Sequence, residues 1–235
     1  DANGLPKIST TNKTLGKFTP DWTGGISNTF SYRSLSLSFL IDASVGGSIF
    51  SNTNKTGKYT GVLANTLSGR DAEHGGLWYY TAAMGNNVRL PESPSYSVSS
   101  DGLYYAQVNG QSTRVYQDGI MVEGVTESGS KNEEVVSAEK YYHRIYSIAE
   151  ANVYDASYVK LREVALSYRL PRLWTQKLHL QEASVTLTGR NLWTIYKSVP
   201  NIDPESALTT GNAQGVEAYS LPTTRSFGVN LSVKF

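Results

Sequence analysis

Cysteine is absent from the 235-residue sequence, which excludes disulfide frameworks and thiolate metal sites. Charge is scarce: Asp, Glu, Lys and Arg make up 17% of the chain, against about 25% in an ordinary soluble domain. The formal net charge of +1 leaves no basic excess to hold a nucleic acid. No run approaches the roughly 18 apolar residues of a membrane-spanning helix, and Asp1-Ala2-Asn3-Gly4 opens neither a signal peptide nor a chain with an initiator methionine. A membrane role would therefore fall to β-strands. These need only about 10 alternating residues each, so a mean hydropathy of -0.33 does not count against them.

Alternation is what the sequence has in quantity. Phe227, Val229, Leu231, Val233 and Phe235 take one parity and Ser226, Gly228, Asn230, Ser232 and Lys234 the other, a two-residue period that predicts a strand with one apolar face. Leu35, Leu37, Phe39, Ile41, Ala43 and Val45 alternate in the same way with Ser34, Ser36, Ser38, Leu40, Asp42 and Ser44. A tight turn at Arg33-Ser34 joins them to a strand entered at Phe18 to Trp22, with Ile26, Phe30 and Tyr32 on one face and Asn28 interrupting it. Val164, Leu166, Tyr168 and Leu170 form the apolar face of a fourth segment, and the phase shift from Val159 and Leu161 predicts a bulge near Arg162. Ala183, Val185, Leu187 and Gly189 begin a fifth that runs to Trp193, Ile195 and Tyr196. There Asn191 falls on the wrong face, through a bulge or a strand end.

Short turns at 33–34 and 171–181 against long loops elsewhere match the periplasmic and extracellular connections of outer-membrane barrels. That assignment places Tyr32, Tyr168, Trp174 and Phe235 at the inner rim and Trp22, Trp193 and Tyr196 at the outer one. Residues 1–19 read as the end of an extracellular loop, 20–45 as a hairpin and 155–235 as the last three strands with a loop at 198–222. Residues 46–154 read as one long extracellular loop region, too long for a plain connector. Within it Tyr59, Val62, Leu63, Thr66 and Leu67 fall at helical spacing, and Ser137 can cap a short helix through Ile145.

A strand that stops on its apolar face at an aromatic residue is how bacterial outer-membrane barrels end. With Pro20-Asp21-Trp22 through Phe50, Tyr158-Val159-Lys160-Leu161-Arg162-Glu163, Gly189-Arg190-Asn191-Leu192 and Leu221-Pro222-Thr223-Thr224-Arg225, it makes the chain resemble the SusC/RagA group of TonB-dependent outer-membrane transporters. The resemblance implies an all-β transmembrane antiparallel β-barrel of about 22 strands, of which this chain would be the C-terminal segment of about five, with the plug domain and TonB box outside it. It further implies TonB-dependent nutrient import across the bacterial outer membrane, with oligosaccharide favoured over peptide. A SusD-like surface lipoprotein would serve as lid, and the TonB complex would act through the missing N-terminal part.

Catalytic patterns do not assemble, and the reading is of a protein that is not an enzyme, with no cofactor and no metal. Ser137-Ala138-Glu139-Lys140 fits S-x-x-K and Lys55-Thr56-Gly57 fits K-T-G. Their order is reversed and no S-D-N lies between, so they read as a helix cap and a loop turn. His74, His143 and His179 are dispersed. Asp203 and Glu205 flank Pro204, where a carboxylate pair could bind a cation or act as acid and base; solvation in a loop is the simpler reading. Trp78, Tyr79 and Tyr80 are the candidate substrate contacts, since aromatic faces stack on sugar rings, and Arg70, near Asp71 and Glu73, could hydrogen-bond a polar ligand. Packing of the long loop is the competing and more economical role for the three rings. The rival to the transporter is a soluble all-β carbohydrate- or protein-binding module, whose five apolar faces would have to converge on one core.

Overall fold

The computed structural model describes residues 1–207, 211 and 213–235. Strands β1 (Trp22–Tyr32), β2 (Leu35–Val45) and β3 (Ser48–Ser51) precede helix α1 (Asn52–Thr60). Then come β4 (Leu77–Thr81), β5 (Asn87–Arg89), β6 (Tyr96–Val98), β7 (Tyr104–Val108), β8 (Gln111–Met121) and β9 (Val135–Ser137). Helix α2 (Ala138–Tyr146), β10 (Val153–Asp155), β11 (Tyr158–Arg169), α3 (Arg172–Lys177), β12 (Glu182–Lys197), β13 (Val216–Glu217) and β14 (Ser226–Lys234) complete the order. Two compact units result: residues 15–52 with 153–235, and residues 1–14 with 53–152.

In the first unit, β1, β2, β11, β12 and β14 form an open antiparallel five-stranded sheet in that order. Its register sets like parity against like. Phe30, Leu37, Leu166, Leu187 and Val229 are successive partners across all five strands, all exposed. The next row of the same face holds Tyr32, Leu35, Tyr168, Val185 and Leu231. On the other face Ser31, Ser36, Ser167, Thr186 and Asn230 are successive partners. Hydroxyls link neighbours along that row: Ser31 Oγ to Ser36 Oγ at 3.0 Å, and Thr186 Oγ1 donating to Ser167 Oγ at 2.9 Å. Because successive side chains point to opposite faces, this register keeps every apolar row on one side.

The bulge expected near Arg162 is present, since the register of β11 slips between Leu161 and Glu163 against both neighbours. Opposite it, Asn191 adopts φ 53° within β12, and its amide donates to the Thr224 carbonyl at 3.2 Å. The strand therefore continues through an irregularity at Asn191 instead of ending there. Arg33 takes φ 56° in the β1–β2 turn.

A smaller sheet, β10-β3-β13, stands beside the large one in the same unit. Ile49, Val199 and Ile202 form its core, with Tyr154 and Ala156 packed against them. Residues 198–222, read from sequence as a loop, thus contribute a strand and two core side chains.

The second unit has its own sheet, in the order β5-β4-β8-β7-β6, with β9 also pairing β8. Its core is Trp78, Ala106 and Val115, flanked by Tyr80, Leu90 and Tyr104. Trp78 stacks on Tyr96 and meets Tyr104 edge-on. Residues 46–154, in which no alternation comparable to the barrel strands was expected, therefore include the 11-residue strand β8. The helix expected over Tyr59 to Leu67 lies earlier, at Asn52–Thr60. Gly61 ends it at φ +70°, where a Cβ would collide with the Arg70 guanidinium, and the only helical turn beyond, before β4, is Ala64–Thr66. Lys55-Thr56-Gly57 lies inside α1, not in a turn. Ser137 caps α2 as expected, its Oγ accepting from Lys140 N at 3.3 Å.

Candidate functional site

Two polar constructions stand out, one in each unit. In the sheet unit, β2 and β11 bring Asp42 and Lys160 into register on the face that elsewhere carries Ser and Thr. Lys160 is only 3% exposed, and its ammonium donates to Asp203 Oδ1 and to Glu205 Oε2, both at 2.6 Å. Arg162, lifted out of register by the bulge, donates from Nε to Asp42 Oδ1 at 2.8 Å and from Nη2 to Glu205 Oε1. Tyr158 donates its hydroxyl to Glu205 Oε1 at 2.9 Å. The second oxygen of Asp203 takes both the backbone N–H of Thr223, at 3.1 Å, and its hydroxyl, at 2.5 Å.

Burial opposes ionisation of Asp203, but the hydrogen bonds from Lys160 and Thr223 outweigh it and hold the carboxyl well below the usual carboxylate range. Glu205 is likewise lowered: burial works against the shift, and Arg162 and Lys160 drive it. Sequence reasoning had both as solvated loop residues; the Asp203 side chain is instead largely withdrawn from solvent, and Glu205, though partly exposed, is ion-paired. They are neutralised by two cations from one strand, which leaves neither as a free acid or base. A cation on a strand face otherwise lined with serine was the available signal, since an unpaired buried ammonium is costly.

In the second unit, sequence reasoning singled out Arg70, Trp78, Tyr79 and Tyr80. Trp78 and Tyr79 are 6% and 5% exposed, and Tyr80 is half-buried. Tyr79 stacks on Tyr116, with ring centroids 5.2 Å apart, and its hydroxyl donates to Asp118 Oδ1 at 3.1 Å. Burial, with the Asp118 charge second, pushes the Tyr79 phenol upward. Asp118 in turn lines a cavity of about 610 Å³ together with Arg70, Tyr59, Glu139, Tyr142 and His143. Tyr79 thus reaches the cavity that Arg70 lines through the Asp118 carboxylate, a residue that sequence reasoning missed. Arg70 donates to the Gly61 carbonyl and, at 2.9 Å, to Thr66 Oγ1. The Tyr142 hydroxyl lies 3.0 Å from the Asn65 carbonyl and 3.1 Å from that of Ser68.

His143 stacks on Tyr59 at 4.1 Å between centroids, and His74 Nδ1 lies 2.8 Å from Asp71 Oδ1. Among the described residues no group of three or more His, Cys, Asp and Glu could hold a metal ion, and no helix is long and apolar enough to cross a membrane.

No family model matches the sequence. The TonB-dependent receptor P3 of Formosa agariphila is 25% identical over 242 residues, an alignment that takes in all of this chain and 18% of that protein. Among solved structures, the RagAB peptide importer in its closed-closed state overlaps 97% of this chain and 19% of its own, at 17% identity and a TM-score of 0.49. The open-open state gives 16% identity, 93% and 17% coverage and a TM-score of 0.44. The chain spans about a fifth of the length of these proteins. From its first residue to its last, inserted unit included, it is similar to a TonB-dependent receptor, the group its strand motifs resemble.

Proposed function

We propose that this chain is part of a TonB-dependent importer of the bacterial outer membrane and that its five-stranded sheet is a segment of a transmembrane β-barrel. The observation that carries the reading is the apolar row that runs across all five strands. Phe30, Leu37, Leu166, Leu187 and Val229 stand exposed in one row, and Phe227 at 80% and Leu231 at 64% continue it. A soluble surface rarely leaves more than a few hundred Å² of contiguous apolar area open, and lipid is the solvent that such a face suits. The opposite row of Ser, Thr and Asn suits a wet lumen. In the rival soluble module the same five faces would close on a core of their own, whereas Phe30, Leu37, Leu166, Leu187 and Val229 stand exposed.

Residues 46–154 would then lie outside the cell and contact cargo, with oligosaccharide favoured over peptide, under a SusD-like lipoprotein lid and with energy from the TonB complex. Within them the cavity lined by Arg70 and Asp118 is the proposed contact surface, with Tyr79 fixing Asp118 and Trp78 and Tyr80 holding the sheet that carries both. The test is growth on the cognate nutrient by cells carrying Arg70→Ala in the complete transporter, compared at matched outer-membrane levels. Several-fold slower growth is expected. Wild-type growth would remove the cavity from the cargo path, and recovery of the protein in the soluble fraction without detergent would remove the importer reading altogether.

A further inference from the structure

We propose that the two limbs Val199–Glu205 and Val216–Thr223 form a strap locked onto the polar face of the sheet, with Asp203 as its clasp. The inference rests on the importer reading only for where the strap lies, at the extracellular end of the strands. Three independent attachments hold the limbs. Val199, fully buried, and Ile202 pack on Ile49. Val216 and Glu217 pair in parallel with Phe50 and Ser51 of β3, and the buried Glu217 carboxylate accepts from Ser51 Oγ at 2.7 Å and from Ser220 N at 3.1 Å. The third attachment is the charged cluster.

Asp203 differs from the other anchors in touching everything that must be joined. Its Oδ1 accepts from Lys160 of β11 and, at 3.1 Å, from Glu205 N in the first limb, while its Oδ2 accepts from Thr223 N and Oγ1 in the second. One carboxylate therefore ties the sheet, the outgoing limb and the returning limb together. Four donors converge on two oxygens, the full acceptor capacity of an ionised carboxylate. The charges facing it are paired as well: Lys160 and Arg162 stand against three carboxylates, Asp203, Glu205 and Asp42, and each of the five groups has an ion-pair partner within the cluster. Lys197, which donates to the Ile202 carbonyl at 2.7 Å, and Arg225 line the cavity of about 210 Å³ beside the clasp. A segment so held stays fixed over the polar face and does not swing away from it.

Hydrogen–deuterium exchange on the complete outer-membrane protein in detergent tests this. In the wild type, amides of both limbs should exchange as slowly as those of β11 and β12. Asp203→Asn keeps the shape but removes the charge and replaces one acceptor oxygen by an NH2 donor, so exchange in both limbs should rise at least tenfold while β11 and β12 are unchanged. Thr223→Val, which leaves Asp203 paired with Lys160, should accelerate only the returning limb. If Asp203→Asn does not reach the membrane, the wild type and Thr223→Val decide the matter alone. Fast exchange in both wild-type limbs, or no change at residues 218–223 in Thr223→Val, would overturn the strap. Failure of the wild-type protein to require detergent would instead strike at the importer reading, and the exchange data would still report on the strap.

Discussion

In the five-stranded sheet Leu37, Leu166, Leu187 and Val229 stand in a row with nothing over them, whereas in the inserted unit Trp78, Ala106 and Val115 close on one another. Both regions are β-structure from the same chain, and they handle apolar surface in opposite ways. Long strands of regular alternation present one exposed apolar face. The insert is made largely of strands of three to five residues, too short to present such a face, so its rings gather into a small core. The difference separates a region specified by its surroundings from one specified by its own packing.

The strongest way to break that comparison is to empty the small core. Trp78→Ala should cost the insert about 3–5 kcal/mol, the usual penalty for deleting a buried aromatic. The lost ring stacks on Tyr96 and meets Tyr104 edge-on, so amides of β7 and β8 should lose exchange protection while those of β12 keep theirs. If β12 loosened to the same extent, the insert would have no core of its own. If the sheet spans the bilayer as proposed, Leu37→Arg should cost about 2–4 kcal/mol, and Ser36→Arg, one residue away on the polar face, far less. Folding yield of the complete barrel in lipid vesicles measures both. Equal losses would mean that the two faces are not in different solvents.

Those expectations were legible to different degrees. The sheet could be read because a two-residue period survives in Leu35 to Val45 and in Phe227 to Phe235 without help from distant residues. Even the bulge at Arg162 showed as a phase shift. The insert could not be read, because Trp78 acquires its meaning from Tyr96, Tyr104 and Val115, which belong to three other strands. The clasp was misread for a related reason. Asp203 and Glu205 flank a proline and look solvated locally, while their partner Lys160 lies more than 40 residues away. Helix α1 was displaced because Tyr59, Val62 and Leu63 keep helical spacing across Gly61, whose positive φ stops the helix whatever the pattern beyond it.

The finest probe of the comparison is the start of α2, where a local signal in the insert was legible. Ser137 holds extended backbone angles, φ -66° and ψ 148°, and its Oγ accepts from Lys140 N at a long 3.3 Å. Removing a cap costs typically about 1 kcal/mol, and an exposed bond of this length belongs at the lower end of the range. Ser137→Ala should therefore leave the midpoint of global unfolding almost unmoved. It should raise exchange in the first turn of α2, the turn that carries Ala138 and Glu139 into the wall of the Arg70 cavity. Ser137→Asp, which restores an acceptor at a helix N-terminus where negative charge is favoured, should return that turn to wild-type protection. If the Asp variant exchanged as fast as the Ala variant, the protection of α2 would come from its pairing and packing and not from the cap. The one part of the insert that looked locally specified would then join the rest in depending on its core.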